Sequence, residues 1–183
     1  ESQHMKDLVE QLLFLARGDS NRQSLDMKMQ DLNSFMREVY EESLMIDENH
    51  RYRFEECGYA RVYGDCDMMK QSARILIDNA AKYTKTGEEI LIRVGVWKDG
   101  SPFYGIQDNG IGMSQEDVAH AFDRFYRADS VRNSKTGGTG LGLSIAKWIV
   151  DKHHGYYGIV SREGLGTRFS VIFPRCGDGD LPT

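Results

Sequence analysis

The run from Ile90 to Asp108 leaves the chain little conformational choice. Ile90, Ile92, Val94 and Val96 alternate with Leu91, Arg93 and Gly95, the period of a strand that turns an aliphatic side to a core. Lys98-Asp99-Gly100-Ser101 makes a turn, and Phe103 to Gln107 returns as a second strand. Such a hairpin needs a second layer to cover its apolar side. It also delivers Asp108 to its C-terminal end, where a loop begins.

Helical periods supply that layer. An acidic helix is expected from Asp31 to about Leu44, and a second opens at Asp65 to Met69, where Asp65 or Asp67 can cap free N–H groups. The second helix continues to Thr84 before Gly87 ends it. Met69, Ala73, Leu76 and Ala80 share its core face, while Asn79, Lys82 and Tyr83, at i, i+3 and i+4, share a neighbouring one. A third helix is read from Thr139 to His153, with Ile145, Trp148, Ile149 and Val150 inward. Further strands are expected at Leu25 to Met29, Arg51 to Glu55, up to Val62 or Tyr63, and in a last hairpin, Tyr156 to Ser161 and Arg168 to Phe173, joined at Gly164-Leu165-Gly166. A short helix runs through Val118 to Phe122. The pattern predicts an α+β fold in two layers, with about five strands in a mixed, mainly antiparallel sheet and about three main helices.

Met5, Leu8, Val9, Leu12, Leu15 and Ala16 recur at three- and four-residue steps, so the first residues form an amphipathic helix stopped at Gly18-Asp19-Ser20-Asn21. That stripe suits either a coiled-coil-like bundle or packing on the chain's own domain. Boundaries follow: 1–18 for this helix, 19–24 for a linker, 25–174 for the main domain and 175–183 for a flexible tail.

With 183 residues, 40% of them hydrophobic, the chain can bury one core of ordinary size. A net charge of -5 argues against nucleic-acid or anionic-membrane partners, which favour basic surfaces. Cys57, Cys66 and Cys176 are odd in number with no C-x-x-C pair, which fits a reducing, cytoplasmic setting better than a disulfide framework. No run of about 18 apolar residues is present. A start at Glu1, without Met or signal peptide, reads as a fragment of something longer.

Four polar or glycine-rich signatures occur in fixed order: Asp78-Asn79-Ala80-Ala81-Lys82-Tyr83-Thr84, Asp108-Asn109-Gly110-Ile111-Gly112-Met113, Phe122-Asp123-Arg124-Phe125-Tyr126-Arg127 and Gly137-Gly138-Thr139-Gly140-Leu141-Gly142-Leu143. Singly, each has an ordinary explanation, such as a tight turn at Asp-Asn-Gly. Together they resemble the N, G1, F and G2 boxes of the ATP-binding domain of sensor histidine kinases, a Bergerat-type fold. The first helix, Glu1 to Leu13, is similar to the second helix of that family's dimerisation bundle.

The resemblance implies a site for ATP and Mg²⁺. Asn79 would offer one amide oxygen to the metal, which keeps waters and shares phosphate oxygens. Lys82 would present a point charge, beside Tyr83. Asp108 would accept from the adenine amine, with Thr167 supporting it, while Gly110 and Gly112, followed by Met113, let the backbone approach the base. Gly138, Thr139, Gly140, Leu141, Gly142 and Leu143 would turn N–H groups and a helix N-terminus toward the phosphates. No strand precedes these glycines, so they do not make a dinucleotide fingerprint. Asp129 to Gly138, polar and aperiodic, reads as a mobile lid, with Phe122 and Phe125 anchoring its base. Arg127 would contact phosphate ahead of Arg124, Arg132 and Lys135.

The chain also departs from related families. Gyrase- and Hsp90-like ATPases carry a water-activating Glu one turn before the Asn, where this chain has Ile75, an alkane that cannot accept a proton. Many histidine kinases have a second Asn there. The family's acceptor sits in a His-acidic-x-x-x-Pro context, which none of His4, His50, His120, His153 and His154 has. His153-His154 before Gly155 reads as a helix end instead. The resemblance thus implies presentation of ATP to a His elsewhere, on the phosphoacceptor helix of its own or a sister subunit in a homodimer, and then to a response-regulator Asp. The parent would be a membrane-anchored sensor. An anti-sigma-type serine kinase and an ATP-gated interaction module are the alternatives.

Overall fold

The computed structural model describes residues 2–128 and 138–176. In chain order its elements are α1 (Ser2–Asp19), β1 (Lys28–Asp31), α2 (Leu32–Ile46), β2 (Arg51–Cys57), β3 (Arg61–Gly64), α3 (Cys66–Tyr83), β4 (Glu89–Val96), β5 (Pro102–Asp108), α4 (Gln115–His120), α5 (Gly142–Lys152), β6 (Tyr156–Arg162) and β7 (Gly166–Ile172).

Five strands form one sheet in the order β2-β4-β5-β7-β6, with β2 parallel to β4 and the other neighbours antiparallel. The α+β fold with a mixed sheet agrees with the sequence. On one face, rows such as Ile92, Ile106 and Phe169, or Val94, Tyr104 and Val171, stand side by side. They pack with Leu32, Met36 and Val39 of α2, Met69, Ala73 and Leu76 of α3, and Val150 of α5 into the main core. The next row on that face is Ile90, Asp108, Thr167 and Ser161. The sheet therefore runs from apolar to polar along its own register, and the polar end is where α3 finishes.

Asp31 and Asp65 cap α2 and α3, accepting the N–H groups of Ser34 and Met68. β1 begins later than expected, because Asp26 gives its N–H to the Asp65 carboxylate; Lys28–Asp31 then pairs with β3 in a separate two-stranded sheet. α5 begins at Gly142, not Thr139. Gly140 holds φ +74 and its carbonyl accepts the N–H of Phe125, so the backbone there is committed to a turn.

A second core cluster joins α1 to this body. Leu15 of α1 is buried with Leu141, Ile145 and Ile149, and Leu8, Phe14, Ile75 and Trp148 pack around them. Phe14 meets the edge of Trp148 at 5.1 Å. On its other side α1 leaves Met5, Val9, Leu12 and Leu13 exposed. No helix of the described residues is long and apolar enough to cross a membrane. All three cysteines are free.

Candidate functional site

The last turns of α3 and the end of β5 face one cleft, closed on a third side by the segment that enters α5. Asn79, Lys82 and Tyr83 line it from α3, Asp108 from β5 and Thr167 from β7. Gly112 and Met113 line it from the loop after β5, Arg127 from the segment after α4, and Gly138, Thr139, Gly140, Gly142 and Leu143 from the approach to α5. Gly110 and Leu141 do not. Gly110 lies behind the wall, where a Cβ would come 2.2 Å from the Tyr83 carbonyl oxygen. Leu141 is fully buried in the second core, and its N–H donates to Thr139 Oγ1 at 3.2 Å.

Asp108 is 7% exposed. Its Oδ1 accepts the N–H groups of Gly110 at 2.8 Å and Thr167 at 3.3 Å, while Oδ2 takes no hydrogen bond from the described residues. Burial pushes this carboxyl above the ordinary range, and those donors hold it back in part. One oxygen is thus fixed by the backbone and the other is left to accept from a ligand. Thr167 supports Asp108 through its backbone, since its hydroxyl shares a hydrogen bond of 2.8 Å with Ser161. Ser161 Oγ in turn accepts the N–H of Met113 at 2.8 Å, tying the loop after β5 to β6.

The apolar part of the cleft is made by Ala80, Ile111, Met113, Leu143 and Phe169, near Asp108; this suits a flat heterocycle. Its polar part lies between α3 and the glycine segment. A Cβ on Gly138 would sit 3.9 Å from Lys82 Nζ, so the ammonium faces that backbone. Asn79 lies one turn earlier, its side chain without a hydrogen bond to another described residue. No group of three or more His, Cys, Asp or Glu side chains able to cage a metal occurs among the described residues. One amide oxygen beside a phosphate-sized polar space fits a magnesium ligated chiefly by phosphate and water. Ile75 also lines the cleft, where a Cβ on Gly142 would lie 3.4 Å from its Cγ2.

Two expectations change in the third signature. Phe122 is an anchor, 4.0 Å from the Tyr157 ring and edge-on to Phe169. Phe125 is not: it is 59% exposed with φ 64, because its backbone, rather than its ring, packs against Gly140. Arg124 donates from Nη2 to both carboxylate oxygens of Asp19 of α1, at 2.8 and 2.9 Å, away from the cleft. Arg132, Lys135 and Gly137, with most of the lid segment, lie outside the described residues, as does the tail from Gly177.

Gln11 and Asp117, which no signature marked, also line the cleft, as does Tyr126 of the third signature. Tyr126 donates to Asp117 at 2.7 Å, and Asp117 closes a capping box with Ser114 on α4. Thr139 Oγ1 donates to Gln11 Oε1 at 2.5 Å, so a residue of the first helix holds the glycine segment. The S-x-x-D box was a readable signal; the reach of Gln11 across the sequence was not.

Residues 64–176 match the family model described as "Histidine kinase-, DNA gyrase B-, and HSP90-like ATPase". Sensor histidine kinase YkoH of Bacillus subtilis (strain 168) is 38% identical over 179 residues, which are 98% of this chain and 38% of YkoH. The chain therefore spans well under half of that relative. Among solved structures, full-length ShkA in complex with AMPPNP shares the fold with a TM-score of 0.81 at 22% identity, over 93% of this chain and 36% of that one. The nucleotide-free catalytic domain of histidine kinase ThkA gives a TM-score of 0.68 at 26% identity, over 82% of this chain and 96% of that one. With the cleft, the family match and these relatives in agreement, the chain belongs to the histidine kinase-, DNA gyrase B- and HSP90-like ATPases, as the ATP-binding catalytic domain of the sensor histidine kinase type.

Proposed function

We propose that this domain holds Mg-ATP and presents its γ-phosphoryl group to a histidine outside residues 1–183, within a sensor kinase of a two-component pathway. The observation that carries the reading is the convergence of Asp108, Asn79 and Lys82 on one cleft whose α3 wall has Ile75 where a water-activating carboxylate would stand. Bound nucleotide supplies the phosphoryl group, and magnesium supplies charge to the phosphate oxygens. Asp108 Oδ2 accepts from the adenine amine. Asn79 holds the metal, and Lys82 with Arg127 draws the phosphates toward the glycine segment. Ile75 keeps a proton acceptor away from any water near the terminal phosphate, which preserves it for transfer.

In the same reading α1 is part of a dimerisation bundle, supported by the exposed stripe of Met5, Val9 and Leu12. The acceptor His belongs to a phosphoacceptor helix of the same or the sister subunit of a homodimer, and a response-regulator Asp receives the phosphoryl group next. The domain lies on the cytoplasmic side of a membrane-anchored parent and touches neither nucleic acid nor membrane.

Incubation of the chain with Mg-ATP and a separate segment carrying the acceptor His tests this. Acid-labile, base-stable phosphate should appear on the segment and not on the chain. Phosphate on the chain itself, or steady release of inorganic phosphate that Asn79→Ala abolishes, would overturn it.

A further inference from the structure

The C-terminal end of α3 carries Asn79, Lys82 and Tyr83, and a helix end leaves carbonyls without intrahelical partners. Two carbonyls at that exit are tied on opposite sides. Tyr83 O accepts the N–H of Ile111, in the loop that follows Asp108, at 3.0 Å. Thr84 O faces His50 Nε2 at 2.9 Å. The exit of α3 is thus held on one side by the loop after Asp108 and on the other by His50.

His50 has two contacts, and both are acceptors. Its Nδ1 lies 2.6 Å from Asp47 Oδ2, and its Nε2 meets a backbone carbonyl. A neutral imidazole has one N–H, so it can satisfy only one of them; an imidazolium donates to both. The surroundings favour the cation. Tyr52 donates to the same Asp47 oxygen at 2.7 Å, and the N–H of Asn49 donates to Asp47 Oδ1 at 2.8 Å, so Asp47 is satisfied as a carboxylate. The side chains of His50 and Asp47 are 7% and 16% exposed, which limits screening by water. A positive charge at a helix C-terminus also complements the partial negative charge of its carbonyls. Thr84 Oγ1 is buried without a partner, so loss of His50 would leave a second polar atom of Thr84 unsatisfied.

We propose that His50 is a positioning residue of the nucleotide site: as an imidazolium it clamps Thr84, and through Tyr83 and Ile111 it keeps α3 and the Asp108 loop in register. This role rests on the nucleotide reading above. The titratable groups around it are Asp47 before β2, which contacts the ring, and Tyr52 on β2, which contacts Asp47; Asp78 on α3 is coupled by charge to both of these. Burial draws the ring's pKa down, and the hydrogen bonds to Thr84 and Asp47, with the Asp47 charge, outweigh it, leaving the folded-state value raised. The clamp is therefore complete below the ordinary histidine range and is lost as pH rises through the raised value.

The test pairs two measurements on the chain. In the wild type, the ring nitrogen chemical shifts of His50 should report both nitrogens protonated at pH 6.5. Exchange of the Ile111 amide should accelerate beyond the intrinsic pH trend as the ring deprotonates. By titration calorimetry at pH 6, the wild type should bind Mg-ATP about tenfold more tightly than His50→Gln, the effect of one hydrogen bond to a charged group. That gap should close as pH rises through the His50 titration. A neutral ring at pH 6.5, or a gap that is absent or constant with pH, overturns the role even where His50→Gln folds poorly, because the ring is read in the wild type. Failure of both proteins to bind Mg-ATP at any pH overturns the nucleotide reading and this role with it; binding with a pH-independent gap overturns this role alone.

Discussion

His153 Nε2 accepts the backbone N–H of Asp65 at 2.9 Å, across 88 residues of sequence. Its other nitrogen, Nδ1, donates to Ile149 O at 2.7 Å, so each nitrogen has a different task and the ring is neutral. The contact joins the end of α5 to the N-cap of α3, and Gly64 is pressed against the same ring. Burial lowers the His153 pKa; the hydrogen bond to Ile149 and the charge of Asp65 oppose this, and His154 adds to it. The unfolded chain then binds a proton that the folded chain resists. Stability from this group is full above about pH 6.5 and falls as pH drops toward the lowered value. Urea unfolding of wild type and His153→Gln should therefore show a stability difference that grows from pH 5 to pH 7.5. A difference that is flat over this range would mean that His153 is not held neutral.

The side chains of Asn79 and Lys82 make no hydrogen bonds to other described residues, so their replacement should spare the fold and remove ligand binding. Asn79→Ala should change urea stability by no more than about 0.5 kcal/mol, as for a substitution that disturbs no packing. It should reduce the Mg-ATP-induced rise in Tm to near that of ATP without metal. Asp108→Asn tests the other end of the cleft. An amide can still face the Gly110 N–H with its oxygen, but its NH₂ opposes an adenine amine, so ATP affinity should fall about tenfold or more. Differential scanning fluorimetry with ATP and GTP reads both: Asn79→Ala should weaken the two nucleotides alike, and Asp108→Asn should act mainly on ATP.

The cap at Asp65, the alternation in β4 and the i, i+3, i+4 spacing of Asn79, Lys82 and Tyr83 are local, and each was legible because a few residues determine it. Asp108 was placed by the strand that ends there. The parallel pairing of β2 with β4 was not legible, since alternation records which face a residue takes and not which strand lies beside it. Leu141 shows a similar limit. Its place in a glycine signature suggests a wall of the cleft, yet its side chain belongs to a core completed by Leu15 of α1. α5 starts at Gly142 and not at the expected Thr139 because Gly140 adopts a left-handed turn, which helical periodicity does not record.

Gly112 and Gly87 separate backbone strain from collision. Both have positive φ, +68 and +88, but a Cβ on Gly87 meets nothing within 4 Å, whereas one on Gly112 would lie 2.0 Å from the Arg162 carbonyl oxygen. Gly87→Ala should cost about 1–2 kcal/mol, the penalty for an L-residue in the left-handed region. Gly112→Ala must also push the loop after β5 off the β6–β7 turn, where Gly164 donates to Ile111 O at 2.7 Å. It should cost about 3 kcal/mol or more, in the range of changes that force a packed backbone to move. It should weaken ATP binding as well, because Ile111 and Met113 line the same cleft. Equal losses of stability in chemical denaturation of the two variants would exclude the collision as the larger effect.

Gly18 of α1 lies against the indole of Trp148, where an added Cβ would come within 2.6 Å of the ring. The apolar seam of Phe14 and Leu15 joins α1 to α5, whereas the exposed ion pair of Asp19 joins it to Arg124 in the segment after α4. Exposed pairs contribute about 0–1 kcal/mol, whereas burial of a single large apolar side chain contributes about 1.5–3 kcal/mol, so the seam should decide docking. Asp19→Ala should leave α1 in place. Gly18→Val should force the indole outward, shift Trp148 emission to the red in a Trp97→Phe background and raise amide exchange along α1. Undocking would also carry Gln11 away from Thr139, so Mg-ATP affinity should change in Gly18→Val and in Gln11→Ala in the same direction. Opposite directions would mean that the seam acts on the cleft by a route other than the Gln11–Thr139 hydrogen bond.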